Sequence, residues 1–235
     1  MILAVTGLQR ERRILAGPDV EVVVGGGNAV RLEAALDQAA AAAYGIISIG
    51  IAGGLAPGLR PGRWVVAGAV RDGETETPTD LAWTEQLAAR LPQVERGVVL
   101  GAEAIAATAA RKAALRRASG AIAVDMESHV AARVARRHRL PLAVARVVSD
   151  GAERTLPPAT RVAMRPDGGV DLAAVLRSLL VEPWQLPALL RTAVEAERAF
   201  RVLGRGRRLL GPGLRAGVVG GLVGPDVGKL PPDMV

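Results

Sequence analysis

The feature that most constrains this chain is a repeated pattern. Short runs of Val, Ile, Leu and Ala are cut by glycine and separated by alanine-rich stretches of helical length. An apolar run with no polar alternation suits a strand buried on both faces, so the sheet must be covered on both sides. The pattern predicts strands at Ile2–Thr6, Val20–Val24, 46–50, 64–70, 97–100, 121–124 and 142–148. It predicts helices at 31–43, 104–118 and 127–137, and further along at 171–180 and Leu186–Leu210. Strands alternating with helices give an α/β fold with a central twisted sheet flanked by helices. The stretch 155–169, rich in Pro, Thr and Gly, reads as a loop. From residue 211 onward Gly and Pro dominate, which predicts a poorly ordered tail.

Composition narrows the functional classes. A chain of 235 residues holds one substantial domain. The absence of cysteine excludes disulfides and thiolate metal sites, and with His129 and His138 as the only histidines no metal site is expected. The formal charge of +7 permits anionic partners without choosing among them. Single-stranded nucleic acid calls for stacking aromatics among the basic residues. Tyr44 and Phe200 are the only Tyr and Phe, so nucleic acid is not an expected partner. The N-terminus lacks a signal-peptide pattern and no run is long and apolar enough to span a bilayer, so a cytoplasmic location is expected.

Four segments fall at the C-terminal ends of predicted strands, the edge where open α/β sheets bind ligands. Gly25, Gly26, Gly27 and Asn28 lead into a helix, either as an anion cradle or as a tight turn. Gly50-Ile51-Ala52-Gly53-Gly54-Leu55 offers a small-residue wall for a planar ligand, or simply close strand–loop packing. Val124-Asp125-Met126-Glu127-Ser128 carries two carboxylates. Such a group accepts both hydroxyls of a ribose diol, whereas Asp125 alone is equally well explained as a helix cap. Val147-Val148-Ser149-Asp150-Gly151 ends an apolar strand in an acid. Burial there favours the protonated form of Asp150 and suits it to general-acid work, and the plain alternative is an Asp-Gly turn.

Taken in order, these segments resemble the purine nucleoside and uridine phosphorylase superfamily, and within it the methylthioadenosine/S-adenosylhomocysteine nucleosidases. Gly50-Ile51-Ala52-Gly53-Gly54 is similar to the family's Gly-Ser/Thr-Ala-Gly-Gly, Val124-Asp125-Met126-Glu127 to its Val-Glu-Met-Glu, and Val147-Val148-Ser149-Asp150 to its Ile-Ser-Asp. Two positions depart: Asp125 is one methylene shorter, and Ile51 replaces a hydroxyl residue. The resemblance implies a three-layer phosphorylase-like fold with a C-terminal helical extension. It implies Asp150 as proton donor to the base, assisted by Ser149. It assigns substrate contacts to Ile51, Ala52, Gly53, Asp125, Met126 and Glu127. Glu11 is the nearest match to the nucleosidases' water-activating glutamate. Its neighbours Arg10 and Arg12 favour a phosphate anion instead, held by Gly25, Gly26 and Gly27. Inorganic phosphate is then a co-substrate, and no cofactor is implied.

The region from Leu176 through Trp184, Leu186 and Pro187 to the arginine-rich helix resembles the C-terminal part of hopanoid-biosynthesis-associated nucleoside phosphorylases. That likeness implies a lipid-linked purine nucleoside, adenosylhopane, cleaved to adenine and phosphoribosyl-hopane. The expected organisation is a catalytic domain over 1–170, a basic helical extension over 171–210 and a tail over 211–235. The extension packs on the domain or faces the inner surface of the membrane. A homodimer is expected by analogy. The alternatives are hydrolysis through Glu11, and a non-catalytic nucleoside- or membrane-binding relative.

Overall fold

The computed structural model describes residues 1–163, 165 and 167–214; the expected tail beyond 214 lies outside the described residues. Eight strands form one mixed sheet: β1 Ile2–Thr6, β2 Val20–Val24, β3 Gly45–Gly54, β4 Trp64–Asp72, β5 Thr75–Pro78, β6 Val94–Gly101, β7 Ala123–Asp125 and β8 Leu142–Asp150. The helices are α1 Gln9–Leu15, α2 Ala29–Ala40, α3 Leu81–Arg90, α4 Ala109–Ser119, α5 Ser128–His138, α6 Pro158–Val162, α7 Leu172–Val181 and α8 Leu186–Leu210. A 3₁₀ turn, Pro183–Gln185, joins the last two.

β1 lies between β2 and β3, parallel to both. β3 then pairs with β8 in parallel and, near its end, with β7 in antiparallel fashion. β8 runs antiparallel to β4, β4 parallel to β6, and β6 parallel to β7. The path β3–β8–β4–β6–β7 therefore returns to β3, so one end of the sheet curls into a small closed ring. β3 and β8 slip register between Ala52 and Gly53: Ala52 faces Val148 and Gly53 faces Asp150, leaving Ser149 as a bulge.

The central strands β1, β3 and β8 are buried on both faces, as their unbroken apolar sequences demand, whereas β2 and β5 are partly or largely exposed. Leu3 and Val5 join Leu32, Leu36, Val130, Val134 and Val144 on one side of the sheet. Ile2 and Ala4 join Ile47, Ile49, Trp64, Trp83, Leu87 and Leu203 on the other. The C-terminal half of α8 belongs to this second core through Ala199, Leu203 and Leu210. Leu214 is buried too, so the chain just past residue 211 is anchored rather than loose.

Several expectations shift. The 155–169 segment is not wholly a loop: it contains α6, begun by Pro158, whose missing N–H costs nothing in a first turn. The helix expected from 104 starts only at Ala109, where the Thr108 side chain accepts the Arg111 amide. α1, β5 and α3 answer to no sequence expectation.

Candidate active site

The end of β7 is built around Asp125. Its Oδ1 accepts the amides of Glu127 at 3.0 Å and Ser128 at 2.7 Å, satisfying donors that the start of α5 leaves open. Its Oδ2 accepts the Ser128 hydroxyl and lies 2.8 Å from Arg146 Nε. Both oxygens are thus engaged by the protein, as the capping account describes.

Arg146 sits in the middle of β8 and is fully buried. A buried guanidinium must be paired. Here it meets Asp125, the Ser48 hydroxyl and, at 3.5 Å, Glu127 Oε2. Among the described residues its Nη1 has no hydrogen-bond partner. Glu11 faces it across Gly50: a Cβ added there would lie 2.5 Å from Glu11 Oε1 and 2.9 Å from Arg146 Nη1. Glu11 Oε2 accepts the Thr6 hydroxyl and the amides of Gly7 at 3.0 Å and Leu8 at 2.8 Å, and Oε1 accepts the Ile51 amide at 2.7 Å.

Glu127 completes the group. Burial pushes its carboxyl up to about 8, against the pull of Arg146; the neighbouring Asp125 and Glu11 add to the rise. Its side chain fills the space that Cβ atoms would need at Gly7, 2.7 Å from Oε1, and at Gly25, 3.2 Å from Cγ. The β1 and β2 ends therefore carry glycine where Glu127 passes.

Asp150 ends β8 on the opposite flank of β3 from β7, with Gly53 paired to Val124 on one side and to Asp150 on the other. Its Oδ1 is 2.6 Å from the Ser149 hydroxyl, which is also 3.1 Å from the Ala52 carbonyl. Its Oδ2 pairs with the ammonium of Lys112, a fully buried residue of α4. A Cβ at Gly53 would sit 3.5 Å from that carboxylate, so Gly53 forms its open floor.

The glycine loop after β2 is tightly turned. Gly26 and Gly27 adopt positive φ of 58° and 72°, conformations that favour glycine. The amides of Gly25, Gly26 and Asn28 bond to the carbonyls of Thr6, Gly7 and Gly25. Arg31 reaches back to the Gly25 carbonyl at 3.4 Å.

The family model of the phosphorylase superfamily matches residues 6–181, which contain every site residue just described. The chain belongs to the phosphorylase superfamily. No curated protein sequence matches it significantly. Its fold is that of solved nucleosidases. The methylthioadenosine/S-adenosylhomocysteine nucleosidase of Streptococcus pneumoniae, solved with a transition-state inhibitor, superposes with a TM-score of 0.60 at 16% identity, covering 89% of this chain and 99% of that one. A putative nucleosidase of Borrelia burgdorferi bound to adenine gives 0.62 at 14% identity, covering 89% and 100%. A Helicobacter pylori variant with 5′-methylthioadenosine in its active site gives 0.58 at 13%, covering 87% and 96%.

In this superfamily member the sequence-marked residues divide into two groups. Glu11, Asp125, Glu127 and the Ile51 amide gather around Arg146; Ser149, Asp150, Ala52 and Gly53 gather at the β8 end; Met126 is half-buried beside Glu127. Arg10 does not line the site. It turns to α8, where it pairs with Glu197 at 2.5 Å and covers the Phe200 ring at 4.2 Å. Phe200 is buried there and is no membrane-facing residue. Two residues central to the site, Arg146 and Lys112, carry no role in the sequence reading. A charge in the middle of an otherwise apolar strand is a signal that marks Arg146. Lys112, in the stretch Ala109-Ala110-Arg111-Lys112, has no such mark.

Proposed function

We propose that this chain breaks the N-glycosidic bond of a purine nucleoside, with inorganic phosphate as the acceptor. We further propose adenosylhopane as its substrate, giving adenine and phosphoribosyl-hopane. The observation that supports this reading is the pairing at Gly53 of β3, which has Asp150 on one flank and, on the other, Val124 of the strand that leads directly into Glu127. Asp150 gives its proton to the departing base, with Ser149 orienting the carboxyl. Glu127 and Met126 hold the ribose. Positive charge grows on the sugar as the bond breaks. Phosphate, guided by Arg31 beside the Gly25–27 turn rather than by the Gly25 and Gly26 amides, which are bonded to Thr6 and Gly7, then captures the anomeric carbon.

The lipid-linked substrate is supported by an exposed apolar face. Leu172, Leu176 and Leu180 lie at four-residue spacing on α7; Leu186, Leu190 and Val194 repeat it on α8, with Trp184 at the corner, 73% exposed. Within α7 no residue is buried. The segment leading into α7 is tied to the site: Gly168 accepts the Gln9 amide at 3.0 Å, next to Glu11. This exposed face supports a proposed peripheral contact with the inner membrane face. Among the described residues no helix is long and apolar enough to cross a membrane.

Hydrolysis is a second reading, favoured by one observation. Glu11, the nearest match to the nucleosidases' water-activating glutamate, is buried beside Arg146 at Gly50 rather than turned to solvent. Incubation with adenosine, methylthioadenosine and a lipid-linked adenosine, with and without phosphate, separates the readings. Phosphorolysis yields a sugar 1-phosphate only with phosphate present. Equal release of free sugar without phosphate overturns it in favour of water, and no adenine from any substrate overturns both.

A further inference from the structure

Lys112 is fully buried, and its ammonium has three acceptors: Asp150 Oδ2, the Gly151 carbonyl at 2.8 Å and the Arg154 carbonyl at 3.1 Å. Three N–H donors meet three oxygens, so the group is saturated and its geometry fixed. Burying an ammonium costs several kcal/mol before pairing. Neutral donors tie down a loop more cheaply, and this loop already has them: Leu156 donates to the Ala107 carbonyl at 2.7 Å, and the Thr155 hydroxyl accepts the Ala109 amide at 3.1 Å. A positive charge is needed here only where a negative charge must be met or made.

The other oxygen of Asp150 completes the argument. The Ser149 hydroxyl lies within hydrogen-bond distance of both Asp150 Oδ1 and the Ala52 carbonyl, yet it carries one hydrogen. When that hydrogen goes to Ala52, Oδ1 must itself carry a proton to keep the 2.6 Å contact. The carboxyl is thus clamped at Oδ2 by a cation, while Oδ1 meets a hydroxyl that can donate to it or turn to Ala52.

We propose that Lys112 is the positioning residue for proton delivery by Asp150: it fixes Oδ2 and stabilises the charge left when Oδ1 gives up its proton. This rests on the purine-nucleoside reading above. In the step, the glycosidic C–N bond breaks and its electron pair passes to the base. A base N–H bond forms as the Oδ1–H bond breaks, and the new carboxylate faces the ammonium, which stays protonated throughout. Lys112 never touches the substrate.

The test compares two leaving groups on wild type and Lys112→Met. One nucleoside is an ordinary purine riboside. The other is methylated at N7, already cationic, and its base departs neutral without a proton. Lys112→Met is expected to lower kcat on the first on the order of 10²-fold, the scale for losing one group aimed at developing charge, with KM within about threefold. On the methylated nucleoside it is expected to stay within about threefold of wild type. Equal losses on both substrates, or no loss on either, overturn the proposal and leave Lys112 a structural tie. Should Lys112→Met not fold, Lys112→Gln keeps neutral donors toward the Gly151 and Arg154 carbonyls, and the same comparison decides. A wild-type protein that cleaves neither nucleoside refutes the functional reading rather than this one.

Discussion

Replacing Glu127 by Gln should change how stability depends on pH, and the structure sets the size. Burial lifts the Glu127 carboxyl from 4.5 to about 8. In the unfolded chain it ionises near its ordinary value, while the folded protein keeps the proton. Between these values the native state binds more protons, so stability falls as pH rises, by about 1.4 kcal/mol per pH unit at most. The contribution is fully present below the unfolded pKa and lost by the time pH passes the folded one. From pH 5 to pH 8 it approaches roughly 4 kcal/mol, an upper figure because the carboxyl also interacts with Arg146, Asp125 and Glu11. Glu127→Gln removes the titrating group and keeps the shape. Urea unfolding of both proteins at pH 5, 6, 7 and 8 should show the variant gaining on wild type at each step. Curves that stay parallel across that range would refute the claim that burial holds this proton.

Two further outcomes follow from the packing. Asp150→Asn should lower turnover about 10²–10⁴-fold while the denaturant midpoint stays near wild type, because the amide has no proton to give the base yet its oxygen still accepts the Lys112 ammonium; a large loss of stability would show instead that the resting acid is a carboxylate. Gly206→Ala should lower the thermal midpoint by several degrees, because its Cβ would overlap the Trp64 ring and reach Leu91 Cδ2 at 3.0 Å, an overpacking cost of about 1–3 kcal/mol that a calorimetric scan would detect.

Much of the fold is legible in the sequence where one force dominates. β1 appears at its observed bounds because both its faces are buried and every residue is apolar or small enough to fit, and β2 through its run of valines, although Glu21 is exposed and the others only half-buried. α8 is equally plain, a long amphipathic stretch closed by Gly211. α1 is hidden because Gln9-Arg10-Glu11-Arg12-Arg13 reads as a solvated turn, although Glu11 is buried for reasons only distant groups supply. β5 is polar and exposed and exists only by pairing with β4. At the site, the acids were marked by their neighbours in the chain. Of their counter-ions, Arg146 shows only as a lone charge in an apolar strand and Lys112 shows no mark, since their partners lie 21 and 38 residues away.

The bulge at Ser149 separates two tasks that one strand must perform. As far as Val148, β8 keeps the alternation that turns Val144 and Val148 toward one core and Ala143, Ala145 and Val147 toward the other. One extra residue then resets the phase, so the terminal acid need not inherit the orientation the hydrophobic interior dictates. Mutational drift in the interior can alter side-chain volume without swinging the acid, whereas loss of a single residue at the reset would rotate it toward the wrong layer with every buried contact upstream still intact.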